Sequence, residues 1–163
     1  MGDFRNNPTK IIVHHDGVSR KGPSIDVVNE FHKTRDFPLS SLGFYVGYHY
    51  WIERDGSQIQ TRKLNEVGAH CLNHNLASIG IGLAGNFDVE LPTDAQVATL
   101  SKLLSALMRS YGFAATAIQP HRMYATKTCY GSLLSNDWAQ ILYLEYELHR
   151  LSELLAKLRA RSS

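Results

Sequence analysis

Lys10-Ile11-Ile12-Val13-His14-His15 is a β-branched run that halts at Asp16-Gly17, so it reads as a buried strand delivering two histidines to a turn. The period then changes. Pro23-Ser24 is followed by Ile25, Val27, Val28, Phe31 and His32 at helical spacing, with Ser24 as the expected N-cap and Asp36-Phe37-Pro38 as the stop. A buried strand followed by a helix is the opening of an α/β chain.

Working outward, Tyr45 to Glu53 is aromatic and β-rich, and Asp55-Gly56 supplies hairpin chemistry before Gln58-Ile59-Gln60-Thr61 returns. A loop rich in Gly, His and Asn runs from Gly68 to Asn75. Ser78-Ile79-Gly80-Ile81-Gly82-Leu83-Ala84-Gly85 then reads as a buried strand with close backbone approach at its glycines. Thr93 and Gln96 form a capping box ahead of one apolar face made by Val97, Leu100, Leu103, Leu104, Leu107 and Met108. Ala117-Ile118-Gln119 is a minimal strand leading to Pro120-His121, residues 122–132 are irregular, and a last helix starts near Asn136-Asp137. This order predicts a single-domain α/β fold, a mixed sheet flanked by helices.

With 163 residues, the chain has room for one sizeable core. Lys+Arg 17 against Asp+Glu 15 gives a net charge of +2, which supplies no electrostatic case for nucleic acid as a partner. Cys71 and Cys129 cannot make a disulfide framework, which fits a reducing compartment. Residues 1–8 read as an N-terminal tail without the apolar segment of a signal peptide, and no run of about 18 apolar residues follows. The expectation is a protein made in the cytoplasm without a Sec-type signal.

Most of the eight histidines lie at strand ends or in glycine-bearing loops, where α/β sites are assembled. His121 and Cys129 are eight apart with Lys127 between them, a weak metal signal alone, because zinc-ligand pairs usually have shorter spacings. His14 offers a third ligand. Taken in chain order, Val13-His14-His15, Val46-Gly47-Tyr48-His49-Tyr50, Gly68-Ala69-His70, Asn75 with Ser78-Ile79-Gly80-Ile81, and His121 with Lys127-Thr128-Cys129 resemble the zinc-dependent N-acetylmuramoyl-L-alanine amidase family. That family shares its fold with peptidoglycan-recognition proteins, and the likeness is greatest to short bacteriophage amidase endolysins. It spans residues 9–140, the expected catalytic domain.

The resemblance implies one Zn2+ per chain held by His14, His121 and Cys129 with a fourth position open, the arrangement hydrolytic zinc requires. It implies Tyr48 and Lys127 as catalytic groups and His70 and Asn75 as substrate contacts. The implied substrate is bacterial peptidoglycan, cleaved between N-acetylmuramic acid and the L-alanine of the stem peptide. The implied setting is a phage or prophage endolysin held in the host cytoplasm until the membrane is breached. Relatives of this fold also include non-catalytic muropeptide-binding modules and cytosolic recycling amidases. The former typically lose the cysteine, and the latter carry a glutamate where this chain has Gly82. The family commonly has Pro-Gly after its cysteine, so Tyr130-Gly131 is expected to loosen the ligand loop. His15 and His49 are expected to be packing or supporting groups rather than ligands.

Residues 141–163 form an extension. Ile141, Leu144, Leu148, Leu151, Leu155 and Leu158 advance by 3, 4, 3, 4 and 3, an amphipathic heptad seam. Packing on its own domain is the simplest outlet for the seam; self-association and membrane-surface contact are the others.

Overall fold

The computed structural model describes residues 5–162. The β-branched run is the central strand β1 (Lys10–His15), hydrogen-bonded in parallel to β4 (Ser78–Leu83) on one side and β5 (Ile118–Pro120) on the other. β2 (Tyr50–Ile52) pairs in parallel with β4, and β3 (Gln58–Gln60) closes the hairpin against β2, giving the order β3-β2-β4-β1-β5. Four of these strands run parallel, so the sheet is covered on both faces, as such sheets require. No helix among the described residues is long and apolar enough to cross a membrane.

The faces follow from strand alternation. In the observed register Ile11 lies beside Ile79, Val13 beside Ile81 and His15 beside Leu83, and these residues face α2 (Asp94–Tyr111) and the start of α3 (Trp138–Arg161). The expected capping box on α2 is present: Gln96 N–H donates to Thr93 Oγ1 at 3.1 Å, and Thr93 N–H donates to Gln96 Oε1 at 3.1 Å. Gly112, at φ 67°, ends the helix in the left-handed conformation.

The opposite face carries Ile12, His14, Gly80, Gly82 and Trp51, under α1 (Ile25–Lys33). This helix departs from expectation in two ways. Val27 and Phe31 are exposed while Val28 and His32 are buried, so its inward stripe is narrow. Ser24 sits at the N-cap, yet its side chain does not cap. Instead the buried Glu53 carboxylate accepts from Ser24 N–H at 2.9 Å, Ile25 N–H at 2.8 Å and the Ser24 hydroxyl at 2.7 Å. A carboxylate at a helix N-terminus is also favoured by the helix dipole.

The last helix runs unbroken from Trp138, so the boundary expected at 140/141 falls inside one element. Ala139 is buried, Trp138, Leu142 and Tyr143 pack on the core, and the Ser105 hydroxyl donates to Glu147. The heptad seam does not pack on its own domain, because Ile141, Leu144, Leu148, Leu151, Leu155 and Leu158 are all exposed. The domain uses a different stripe of the helix, one with few leucines. Of the expected tail at 1–8, residues 1–4 lie outside the described residues; Asn6 is buried and its Nδ2 donates to Ser78 O at 2.9 Å and Leu64 O at 3.0 Å.

Removing Glu53 strands three donors, two of them on the first turn of α1. Glu53→Ala is expected to cost about 2–3 kcal/mol, the scale of charge-assisted bonds to a buried carboxylate. Urea denaturation of the two proteins measures it, and an unchanged midpoint would show that the cap contributes nothing.

Candidate active site

Alternation places Ser78, Gly80 and Gly82 on the α1-side face of β4, so past Ser78 that face is bare backbone. Two rings occupy the space. A β-carbon on Gly80 would lie 2.6 Å from the His70 ring, and one on Gly82 would lie 2.6 Å from the Tyr48 ring and 2.8 Å from that of Trp51. A side chain at 82 and the phenol of Tyr48 are therefore mutually exclusive as placed. The space that a side chain at position 82 would take is here filled by Tyr48.

His14 is at the C-terminal end of β1, in register with Gly82. β5 is parallel to β1, with Val13 beside Pro120, so His121 emerges next to His14, and their ring centroids are 4.4 Å apart. Cys129 returns on the following loop, with Sγ 3.8 Å from His14 Nδ1 and accepting from His15 N–H at 3.4 Å. Ligand atoms of His14, His121 and Cys129 all lie within 4.8 Å of one another. The other His14 nitrogen, Nε2, lies 3.0 Å from His70 Nδ1, and His70 Nε2 is 3.3 Å from Ser78 Oγ. A ring held through its distal nitrogen is oriented for coordination through the other.

The loop that carries Cys129 is tied down by a residue that had no expected role. The guanidinium of Arg122 donates to Gly131 O at 2.7 Å, Leu134 O at 2.5 Å and Asn136 Oδ1 at 2.5 Å, and Arg122 N–H donates to Cys129 O at 2.6 Å. Tyr130 lies beneath the guanidinium, 5.3 Å from its carbon, and its hydroxyl donates to Asn136 O at 2.9 Å. Tyr130 is fully buried and fixes the loop that it was expected to loosen. Gly131 adopts φ 113°, and a β-carbon there would meet the Phe87 backbone at 2.5 Å, so glycine is required by both conformation and space.

These groups floor a cleft of about 730 Å³ whose walls include Tyr48, His70, Lys127, Val28 and Phe31 of α1, and Arg35 in the turn that follows it. Tyr48 stands 5.0 Å from the His14 ring, centroid to centroid, and Lys127 is exposed at the rim. His32 stacks on Phe37 at 4.6 Å, and its Nδ1 accepts from Gly47 N–H at 3.1 Å, fixing the turn that presents Tyr48. Asn75 does not line the cleft. Its Oδ1 accepts from His70 N–H and Cys71 N–H, both at 2.9 Å, which closes the 70–75 loop. His15 takes Phe87 N–H on Nδ1 at 3.0 Å, and His49 takes Gly80 N–H at 3.0 Å, so both are supports. Cys71 is buried and free, away from the cleft.

The donor set fits zinc. Burial, followed by repulsion from His70 and His121, keeps His14 well below the usual imidazole range; burial and the Lys127 cation lower His121. Both rings are thus neutral and ligand-competent at neutral pH. Burial pushes the Cys129 thiol up to about 12 while the His15 N–H and Lys127 oppose it, so a bound cation would have to displace its proton. Two imidazoles and one thiol, with a cleft above them, match an open zinc site better than an oxygen-seeking ion. Burial raises Tyr48 far above the ordinary phenol value, so at neutral pH it is a donor and not a base.

The sequence pattern of the N-acetylmuramoyl-L-alanine amidase family matches residues 4–132. Peptidoglycan-recognition protein SC2 of Drosophila melanogaster is 28% identical over 128 residues, covering 77% of this chain and 70% of its own. The endolysin of Escherichia phage T7 is 29% identical over 137 residues, covering 80% and 85%. In three dimensions, the amidase LysC of Clostridium intestinale URNW superposes with a TM-score of 0.67 at 31% identity, covering 78% of each chain.

The buried histidines set the acid limb of stability. Burial takes His49 and His32 down to about 4. Above pH 6.5 both folded and unfolded forms are neutral and stability is complete; below it the unfolded chain takes the protons first, and stability is lost as pH falls toward 4. The expected loss is on the order of 3 kcal/mol from the fully buried His49 alone. Urea titrations at stepped pH measure this, and stability unchanged from pH 6.5 to 4 would contradict it.

Proposed function

The chain belongs to the N-acetylmuramoyl-L-alanine amidase family, and from that membership we propose that it is a zinc-dependent peptidoglycan hydrolase acting in the lysis of a bacterial host. The observation that carries the reading is the convergence of His14, His121 and Cys129 at the floor of a cleft that also holds Tyr48 and Lys127. The similarity to phage endolysins supports the lytic role. In that role the enzyme reaches the wall from the host cytoplasm once the membrane is breached.

The reaction adds water to the lactyl carbonyl carbon of N-acetylmuramic acid and breaks the C–N bond to L-alanine. The alanine amine leaves with a proton, and a lactyl carboxylate remains. Zinc, when bound by His14, His121 and Cys129, supplies Lewis acidity toward the water and the carbonyl oxygen. Tyr48, held protonated by burial, directs a hydrogen bond at the attacking water or the carbonyl oxygen. Lys127, at the rim, offers its cation to the negative charge that develops on that oxygen. His70 acts through His14 by holding its distal nitrogen, and Asn75 acts through the loop that carries His70. His70 also walls the cleft, where the substrate contact implied for it remains open, while Asn75 is set back from the cleft in its loop. The phenol occupying the Gly82 space, in place of an acidic side chain, favours polymeric wall over soluble recycling fragments as substrate.

On purified peptidoglycan the protein is expected to release new alanine amines without new reducing sugar ends. Chelation abolishes the release and added zinc restores it, Cys129→Ser removes it, and Lys127→Ala lowers it by about 10²–10³-fold. Zinc-loaded protein that binds wall without cutting it would contradict the reading and indicate a recognition module. Faster cleavage of soluble anhydro-muropeptide than of wall would contradict the lytic role.

A further inference from the structure

Beyond Arg150, every described residue of α3 is exposed, from Leu151 through Ser162. The overhang is rich in leucine: Leu151, Leu154, Leu155 and Leu158 are 46–52% exposed, and Leu148, where the helix leaves the domain, is 69% exposed. About three exposed helical turns are marginal in water by themselves. Four leucines on such a segment call for a covering surface.

The seam identifies the cover. Leu148, Leu151, Leu155 and Leu158 occupy alternating a and d positions of a heptad, and charge is segregated along the same helix. Glu145 and Glu147 flank the seam at its domain-proximal end, while Arg159 and Arg161 flank it at the far end, with Lys157 nearby. Glu147 also accepts from Arg150 in its own chain, at 2.8 Å. In a parallel pair the g-to-e′ contacts would set Glu147 against Ser152 and Leu154 against Arg159, with no pairing of opposite charges. In an antiparallel pair with Leu151 facing Leu155 of the second copy and Leu148 facing Leu158, the e positions place the exposed Glu145 beside Arg159, twice by symmetry, while Glu147 stays with Ser105 and Arg150 of its own chain. The same register brings Leu154 against its own counterpart across the two-fold axis. An anionic membrane would instead favour cations along the whole flank, whereas here Lys157, Arg159 and Arg161 are confined to the far end and the exposed Glu145 and Glu153 precede them.

We propose that the α3 overhang is a homodimerisation element, in which two copies of this chain pair antiparallel through Leu148, Leu151, Leu155 and Leu158. The interface is isologous and leaves both clefts available, since none of the cleft residues lies on α3.

Sedimentation equilibrium of the full chain across a micromolar concentration series tests this. The expected result is a reversible rise from the monomer mass of 18.3 kDa to twice that value. Leu151→Glu with Leu155→Glu shifts the protein to monomer with an unchanged near-ultraviolet spectrum, because both side chains are exposed in the monomer. Glu145→Arg alone weakens the dimer several-fold at low salt, and adding Arg159→Glu restores it. Monomer at every concentration, or a dimer indifferent to the leucine changes, overturns the proposal. Failure of the charge swap to restore association overturns the antiparallel register. Monomer that co-sediments with phosphatidylglycerol vesicles assigns the seam to a membrane surface instead.

Discussion

The arrangement of the cleft depends on what β4 lacks. With hydrogen in place of side chains at Gly80 and Gly82, the rings of His70 and Tyr48 lie directly on the sheet, next to the strand that carries His14. His70 then meets the distal nitrogen of His14, and Tyr48 reaches the metal-ligand end of the cleft. Even a methyl group at either position would sit far inside contact distance of a ring, so that His70 or Tyr48 would have to leave its place on the sheet. The other face of the same strand, Ile79, Ile81 and Leu83, is ordinary core. One strand thus separates stability from chemistry by alternation alone.

A second constraint acts on Cys129, the one candidate ligand that comes from a loop between β5 and α3. Strand ends deliver His14 and His121 through sheet register, whereas the thiol depends on the Arg122 clamp and the buried Tyr130 beneath it. The Arg122 side chain ties together the Gly131 and Leu134 carbonyls and Asn136 Oδ1, and an arginine fork suits several acceptors at once. Its position next to His121 in the chain couples the geometry of two candidate ligands.

Features written in local pattern were legible from the sequence. The β-branched run of β1, the Asp-Gly hairpin, the capping box of α2 and the heptad of α3 all lie within a few residues of the signals that specify them. The three candidate ligands stand out only in combination, because His14 is more than a hundred residues from His121 and Cys129, and the parallel pairing of β1 with β5 brings them together. What escaped the sequence reading is long-range and polar. Glu53 displaces Ser24 as the cap of α1, Arg122 and Tyr130 replace the expected proline constraint, and Asn75 spends its carbonyl on the loop rather than the cleft. The α3 seam was visible as a pattern, but its direction was not. Only the packing of Leu142, Tyr143 and Glu147 toward the domain shows that the leucines point away.

The central claim is that His14, His121 and Cys129 form one zinc site. X-ray absorption at the zinc edge of the loaded full-length protein, compared with Cys129→Ser, tests it most directly. The account predicts one equivalent of zinc with a single sulfur and two imidazoles in its coordination shell, the sulfur vanishing in the variant. A shell without sulfur, or one unchanged by the substitution, would contradict it.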